Sequence, residues 1–446
     1  MSSLYDLPDE ISLEVVRRFD AVRSFETQSE AFRYAKVEKG RQCENHIRQQ
    51  ALYALCLTSR RLRYLSLPSL YSSSVTCASR RGHRSLELLH RTIIDPSDAL
   101  GQTKRLAEHV RYIENRLADH RGDSLQADIW FQNGPLASYF QLLGDLILRA
   151  PNLEHICVVS VEHNDVSLWN HIFDGSPSSS QQSLLKIKHL SAQVHTYPYS
   201  SVPGISQLER MLQHLRSLPV LSDLRISGAT TSGDPVLASP LNELSNLRRL
   251  DLAECNLEMT EVANLLWVCT NLQRFTCVWQ FIWESEEGPS VLLPALMSCS
   301  DTLEILALDW RLVRHSLLMF SGTRMIGSLK SLKKLRSLEI CELGFLSDDH
   351  SYMDLPGQDS VLAMTDLLPL GLEELKLLYK GKRTDYESNV LENASCLRQF
   401  SSDCKISMPH LKTLCIKAEQ PMALPTLTDA FARAGVQLRT EVEHER

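Results

Sequence analysis

The chain has 446 residues, of which 43% are hydrophobic and 23% charged, a composition that excludes wholesale disorder. Its length exceeds that of one small core, so we expect two domains, or one elongated array of repeats with a small module attached. The formal net charge of −7 leaves no basic field to hold a polyphosphate backbone, which disfavours nucleic acid as a partner. No apolar stretch approaches the roughly 20 residues of a membrane-spanning helix, and the acidic start argues against a secretory signal.

Two helical patterns come first in the chain. In residues 4–20, Pro8 stands at a position suited to a first helical turn, and Ile11 and Val15 follow on one face. Residues 51–71 carry a second helical pattern. The two patterns predict a small helical module, although a helical cap on a repeat array would also have such an apolar face.

Three short segments of this module follow one another in a set order. They are Leu-Pro-Asp-Glu-Ile at residues 7–11, Leu-Cys-Leu-Thr-Ser-Arg-Arg-Leu at 55–62 and Leu-Pro-Ser-Leu-Tyr at 67–71. In this order they resemble the F-box, whose helices bind the small Skp-family adaptor of SCF (Skp–cullin–F-box) ubiquitin ligases. The resemblance implies an F-box at residues 1–75. The residues that it marks as adaptor contacts are Leu7, Pro8, Ile11, Val15, Leu55, Leu57, Ser59, Arg60 and Leu62.

Residues 21–50 interrupt this module where the family has a short connection. The segment is polar and rich in charged residues, so we expect a solvated insertion or an extra helix. Residues 76–145 are expected to form a helical linker or a degenerate first repeat. Within them, residues 89–113 further resemble fungal F-box proteins with degenerate leucine-rich repeats.

A recurring pattern, Leu-x-x-Leu-x-Leu with apolar substitutes allowed, follows from residue 146 onward. It occurs nine times, at start-to-start spacings of 25 to 39 residues. The units begin at Leu153, Ile187, Leu221, Leu247, Leu272, Leu303, Leu335, Leu372 and Leu411. The last two apolar positions of each unit alternate as on one face of a strand, and several intervening stretches show helical spacing. Because a single strand and helix cannot bury their apolar faces alone, stacked copies are expected to share one core.

These units resemble leucine-rich repeats. The resemblance implies an irregular solenoid, a horseshoe with a parallel sheet on its concave side. The expected fold class is therefore α/β, with an all-helical F-box followed by a leucine-rich-repeat domain at residues 146–430. Residues 431–446 are expected to form a polar C-terminal tail.

Outward-facing positions on the expected strands are candidates for a binding surface, because they alternate with the buried positions. Arg225, Arg249 and Arg274 lie on consecutive expected strands and suit an acidic or phosphorylated motif, since guanidinium groups pair well with such oxygens. The competing interpretation is that Asp223 and Asp251 neutralise these arginines across neighbouring strands.

Two tryptophans complete the candidate substrate-binding set. Trp279 and Trp310 follow expected strands, and they are either interface anchors or packing residues beneath loops. The substrate-binding candidates are Arg225, Arg249, Asp251, Arg274, Trp279 and Trp310.

Sequence motifs of known catalytic centres are absent. The chain contains no P-loop, dinucleotide-binding glycine motif, H-E-x-x-H or G-x-S-x-G. The fifteen histidines, His155 and His189 among them, do not have the spacing of metal ligands, and no C-x-x-C pair occurs. We therefore expect no enzyme, metal site or cofactor.

The expected function is that of a non-catalytic substrate-recognition subunit of an SCF-type ubiquitin ligase. Its partners would be the Skp-family adaptor, a cullin scaffold through that adaptor, and an unknown protein substrate bound by the repeats. We expect no nucleic acid and no membrane as partners, and a location in the cytoplasm, the nucleus or both. The alternatives are a leucine-rich-repeat scaffold unconnected with ubiquitylation, and an enzyme with a site in the loops.

Overall fold

The computed structural model divides the chain into two compact units, Met1–Gly228 together with Arg446, and Ala229–Glu445. The structure describes residues 7–23, 35–77, 80–94, 106–116, 136–161, 166–174, 184–195, 215, 218–229, 244–280, 288–313, 326–341, 363–379 and 395–442. Within these ranges, no helix has the combination of length and apolar character that crossing a membrane requires.

The first unit begins with three helices, α1 (Asp9–Arg17), α2 (Ala35–Thr58) and α3 (Arg60–Ser72). Two acidic residues occupy the first turn of α1, where they oppose the partial positive charge of the helix N-terminus. α3 begins after Ser59, whose Oγ accepts a hydrogen bond from the backbone N–H of Leu62 at 3.1 Å. Because α3 packs against both α1 and α2, the three helices form one helical module.

Five strands of the first unit are parallel and neighbour one another in chain order. The remaining elements of this unit are β1 (Ser73–Cys77), α4 (Arg80–Ile94), β2 (Tyr112–Arg116), α5 (Leu136–Arg149), β3 (His155–Val161), α6 (Val166–Asp174), β4 (His189–His195) and β5 (Asp223–Ser227). α4 packs on α5, and α5 packs on α6. Apolar side chains of β2 to β5 that alternate along each strand are buried, which is how stacked repeats share a core.

Seven strands of the second unit are described, and these too are parallel neighbours in chain order. The elements are β6 (Arg249–Cys255), α7 (Met259–Trp267), β7 (Arg274–Trp279), a 3₁₀ helix (Pro289–Val291), α8 (Leu292–Met297), β8 (Ile305–Asp309), a 3₁₀ helix (Arg311–Val313), β9 (Ser337–Cys341), α9 (Met364–Leu367), β10 (Glu374–Tyr379), α10 (Ser395–Ser407), β11 (Thr413–Ala418), α11 (Pro425–Ala434) and β12 (Gln437–Val442).

The leucine positions of the predicted repeats form the core of the second unit. One row of side chains runs across six neighbouring strands and is fully buried. Its members are Leu250, Phe275, Leu306, Leu338, Leu375 and Leu414. Burying a side chain of this size stabilises the fold by about 1.5–3 kcal/mol. The α/β class with parallel strands is thus confirmed, and all nine predicted repeat units contain a strand, β3 to β11.

Three further strands lie outside the nine predicted units. β1 and β2 precede them, and β2 lies within residues 76–145, the segment predicted as a linker or degenerate repeat. β12 lies within residues 431–446, so the predicted polar tail is corrected to the end of α11 followed by a strand. Gly435, at φ +84°, ends α11, and the buried Leu438 holds β12 against the fold.

Candidate functional site

The exposed face of α1 is the first candidate site. Ile11 is 50% exposed and Val15 is 40% exposed, although both side chains are apolar. They stand one helical turn apart, so they share one side of α1. Ser12 and Val16 are buried on the side that packs inward. The helix therefore buries one face and presents the adjoining apolar pair to solvent.

The structure divides the predicted adaptor contacts into three groups. Pro8, Ile11, Val15, Leu57 and Arg60 are exposed. Leu7, Leu55 and Ser59 are half-buried, and Ser59 also caps α3. Leu62 is a core residue of the helical module and offers no docking surface, which corrects its assignment as an adaptor contact.

An ion pair brings the start of α1 to the start of α3. Arg61 donates from Nε to Asp9 Oδ1 at 2.7 Å and from Nη2 to the carbonyl oxygen of Leu7 at 2.5 Å. Because α2 ends at the residue before the N-cap of α3, Leu57 lies near the same end of the module. Most of the exposed candidates are thereby brought to one end of the three helices.

Two exposed tyrosines were not predicted as contacts. Tyr53 stands one helical turn before Leu57 on α2, and Tyr64 lies on α3 with most of its surface accessible. Large exposed aromatic side chains are common anchors in protein interfaces. The spacing of Tyr53 and Leu57 in the sequence would have suggested the first of them.

Residues 21–50 were predicted to form a solvated insertion or an extra helix, and residues 35–50 are helical. Residues 35–50 belong to α2, and Arg41 within them is buried. Its Nη2 donates to Glu114 Oε1 at 2.7 Å and its Nη1 to Glu114 Oε2 at 3.2 Å, with side-chain exposures of 3% and 0%. Glu114 also accepts a 2.7 Å hydrogen bond from the hydroxyl of Tyr112. Desolvation by burial, followed by the charge of Glu114, raises the pKa of that hydroxyl well above its usual value, while Arg41 opposes the rise. α2 is therefore anchored on β2 through Arg41.

Polar side chains lie in register on neighbouring strands of the first unit. Tyr112, His155, His189 and Asp223 are register partners on β2 to β5. The rings of His155 and His189 are 4.0 Å apart, and His189 Nδ1 lies 2.9 Å from Asp223 Oδ2. We call these four residues and Glu114 the polar face. The sequence analysis singled out His155 and His189 only as histidines without the spacing of metal ligands, and it did not predict that these residues would cluster.

Arg23 also reaches the polar face. Its Nη1 donates to His155 Nε2 at 3.1 Å, which requires a neutral imidazole with its proton on Nδ1. Desolvation, followed by the neighbouring His189, Arg23 and Lys188, lowers the pKa of His155 to about 2. His155 is therefore neutral throughout the physiological range.

This depressed pKa predicts acid sensitivity. Below pH 6.5 the unfolded chain binds a proton at residue 155 that the folded chain does not bind, so stability falls with falling pH. The loss is expected to approach about 1.4 kcal/mol per pH unit, and above pH 6.5 the group has no effect. Urea unfolding of the wild type and of His155→Gln between pH 7 and 5 measures it, and equal slopes for both proteins would contradict the prediction.

The predicted substrate-binding residues form ion pairs or are buried. In the second unit, Arg249 Nη2 lies 2.7 Å from Asp251 Oδ2, and Arg274 Nε lies 3.8 Å from Asp251 Oδ1. These are the contacts expected if Asp251 neutralises the arginines. In the first unit, Arg225 is 0% exposed, while Asp223 pairs with His189. Arg225 is therefore corrected from a surface contact to a buried side chain.

Both candidate tryptophans are core residues. Trp279 and Trp310 are fully buried and pack edge to face with ring centres 6.1 Å apart. Trp279 Nε1 donates to the carbonyl oxygen of Leu257 at 3.1 Å. Of the two interpretations of these residues, packing is the one that the structure favours, because a fully buried ring presents no surface to a partner.

Comparisons with known proteins add no family to these observations. No family model matches the chain, and no curated protein matches it. Among the described residues, no group of three or more histidine, cysteine or acidic side chains is placed to hold a metal ion. The exposed apolar surface of the helical module is therefore the candidate site on which the proposed function rests.

Proposed function

We propose that the chain is the non-catalytic substrate-recognition subunit of an SCF-type ubiquitin ligase. The observation that carries the proposal is the exposed apolar pair Ile11 and Val15. Ile11 ends the first of the three ordered segments that resemble an F-box, and Val15 lies one helical turn after it. Exposed apolar side chains on a helix whose other face is buried are typical of a protein-docking surface. The proposed partner at this surface is a Skp-family adaptor.

The repeats are proposed to hold a protein substrate. In the second unit, the side chain at the first position of each strand from β6 to β11 is half-buried. Two residues further along β6, β7 and β8, the side chains of Asp251, Thr276 and Ala307 are buried. A partner would therefore meet the edge where the strands begin, at Arg249 and Arg274, more readily than the middle of the sheet. No side chain in this proposal performs covalent chemistry, since holding a substrate near a charged conjugating enzyme acts by raising its effective concentration.

The docking surface is tested by introducing charge into it. Ile11→Asp combined with Val15→Asp is expected to weaken binding of a purified Skp-family adaptor by at least about 30-fold, because hot-spot side chains contribute about 2 kcal/mol or more. Fluorescence anisotropy with labelled adaptor measures the affinity. Ile406→Asp, at an exposed apolar residue of α10, is the matched control and should leave the affinity unchanged.

Three outcomes of this experiment, together with a pull-down by the full chain from a mixture of adaptor and cullin, decide between the candidate functions. Adaptor binding that is lost only in the α1 variant, with cullin recovered in the same complex, supports the ligase assignment. Adaptor capture without cullin would instead favour an interaction scaffold unconnected with ubiquitylation. Failure of the intact wild-type chain to bind any adaptor would remove the assignment.

A further inference from the structure

Side chains of α2 make hydrogen bonds to the backbone of the segment that follows α1. The side chain of Asn45 makes two hydrogen bonds to the backbone of Val22, accepting from its N–H at 2.8 Å and donating to its carbonyl oxygen at 3.0 Å. Arg48 Nη1 donates to the carbonyl oxygen of Asp20 at 2.8 Å. Asn45 is almost fully buried, so its two bonds are shielded from competing water. α2 thereby holds the backbone through which the chain leaves α1.

The same part of α2 is fixed to the sheet. Besides its two contacts with Glu114, Arg41 donates from Nη1 to the carbonyl oxygen of Val22 at 2.8 Å. One buried guanidinium therefore joins β2 to the segment after α1. Fork-shaped pairing of this kind sets orientation as well as distance, because both nitrogens must face both carboxylate oxygens.

We propose that Arg41 and Glu114 are positioning residues for the exposed face of α1. In this arrangement β2 of the first unit determines how the helical module presents Ile11 and Val15. The path consists of direct contacts from Glu114 to Arg41 and from Arg41 to Val22, which lies five residues after the end of α1. The identity of the partner that meets this face rests on the proposed function, whereas the positioning itself does not.

One consequence concerns fragments of the chain. A piece that ends at residue 75 contains the three segments that resemble an F-box, but it lacks Glu114 and Tyr112. Arg41 would then lose its buried anionic partner, and α1 would lose its link to the sheet. The docking surface is therefore a property of the whole first unit, and its tests belong on the full chain.

The experiment compares two neighbouring residues of β2 in the full chain. Glu114→Gln keeps the shape of the side chain but removes the charge that holds Arg41. Asn115→Ala is the matched control: Asn115 is equally buried, and its amide bonds to the N–H and carbonyl oxygen of Val159, each at 2.8 Å. Adjacent strand residues point to opposite faces, so the control perturbs the same strand without touching α2.

Two readouts are needed, amide hydrogen exchange in residues 9–17 and the affinity for the adaptor. Glu114→Gln is expected to speed exchange in α1 and to weaken adaptor binding about tenfold, an ordinary size for coupling between sites. Asn115→Ala should lower the stability of the first unit, yet leave α1 exchange and adaptor affinity within about twofold, because distant effects are usually independent. Arg41→Lys, which keeps a positive charge beside Glu114 but cannot make the paired contacts with Glu114 and the contact with the carbonyl oxygen of Val22 together, serves if Glu114→Gln does not fold.

Unchanged exchange in α1 on Glu114→Gln, or on Arg41→Lys where Glu114→Gln does not fold, would overturn the positioning role. So would an equal loss of adaptor affinity in Asn115→Ala, since binding would then follow general stability. If the wild type binds no adaptor, the proposed function fails, while faster α1 exchange in the variant still supports positioning by Glu114.

Discussion

Replacing Arg41 with alanine is expected to lower the free energy of unfolding of the first unit by about 3–5 kcal/mol, the usual cost of leaving one partner of a buried ion pair alone. The carboxylate of Glu114 is 0% exposed, so it would stay in a poorly solvated position without its cationic partner, although the hydroxyl of Tyr112 still donates to it. Urea unfolding followed by circular dichroism measures the loss, together with exchange rates of the β2 amides.

Two comparison variants separate the effect of the buried ion pair from that of losing any ion pair. Arg18→Ala removes an ion pair with Glu14 whose side chains are 80% and 57% exposed, so it should have almost no effect. Arg41→Met with Glu114→Leu replaces both buried charges by apolar groups, and much of the lost stability should return. A loss in Arg41→Ala no larger than that in Arg18→Ala would mean that the buried pair is not formed in solution.

Replacing Trp279 with alanine is expected to destabilise the second unit by about 3–5 kcal/mol, because the change leaves a large cavity in a closely packed core. Trp279 is fully buried, contacts Trp310 and donates to the carbonyl oxygen of Leu257. The loss should appear in thermal and urea unfolding of the full chain.

A phenylalanine at each tryptophan position separates packing from hydrogen bonding. Trp310 Nε1 is buried with no hydrogen-bond partner among the described residues, so Trp310→Phe removes no bond. Trp279→Phe leaves the carbonyl oxygen of Leu257 without this donor, so it should lower the free energy of unfolding by about 1 kcal/mol more than Trp310→Phe does. If Trp310→Phe proves the more destabilising change, this account of the pair is wrong.

The strands of the repeats were predictable because their leucines face a shared core in every unit. The pattern does not extend to β2, where Glu114 and Asn115 follow Tyr112 and the apolar Ile113. Glu114 meets Arg41 and Asn115 meets Val159, and both partners are distant in the chain. Since the pattern counts apolar residues, it cannot identify a strand whose buried polar groups are satisfied from elsewhere.

The candidate sites were less predictable than the strands, because alternation tells which face a side chain occupies but not whether that face is accessible. Ile11 and Val15 were predicted as surface contacts and are exposed. Arg225 and Trp310 were also predicted as contacts and are buried. Trp310 is packed against Trp279 of another repeat, a contact that the local sequence does not reveal.

The edge formed by β12 has a consequence for self-association. In the described strand order β12 has one neighbour, β11, so its outer backbone groups are a template on which another chain can add. Arg439 and Glu441 are exposed on this strand, whereas Leu414, Cys415 and Ile416 of β11 are buried. Because charged side chains on an edge strand disfavour pairing with a second sheet, we expect β12 to oppose growth of the described sheet from molecule to molecule.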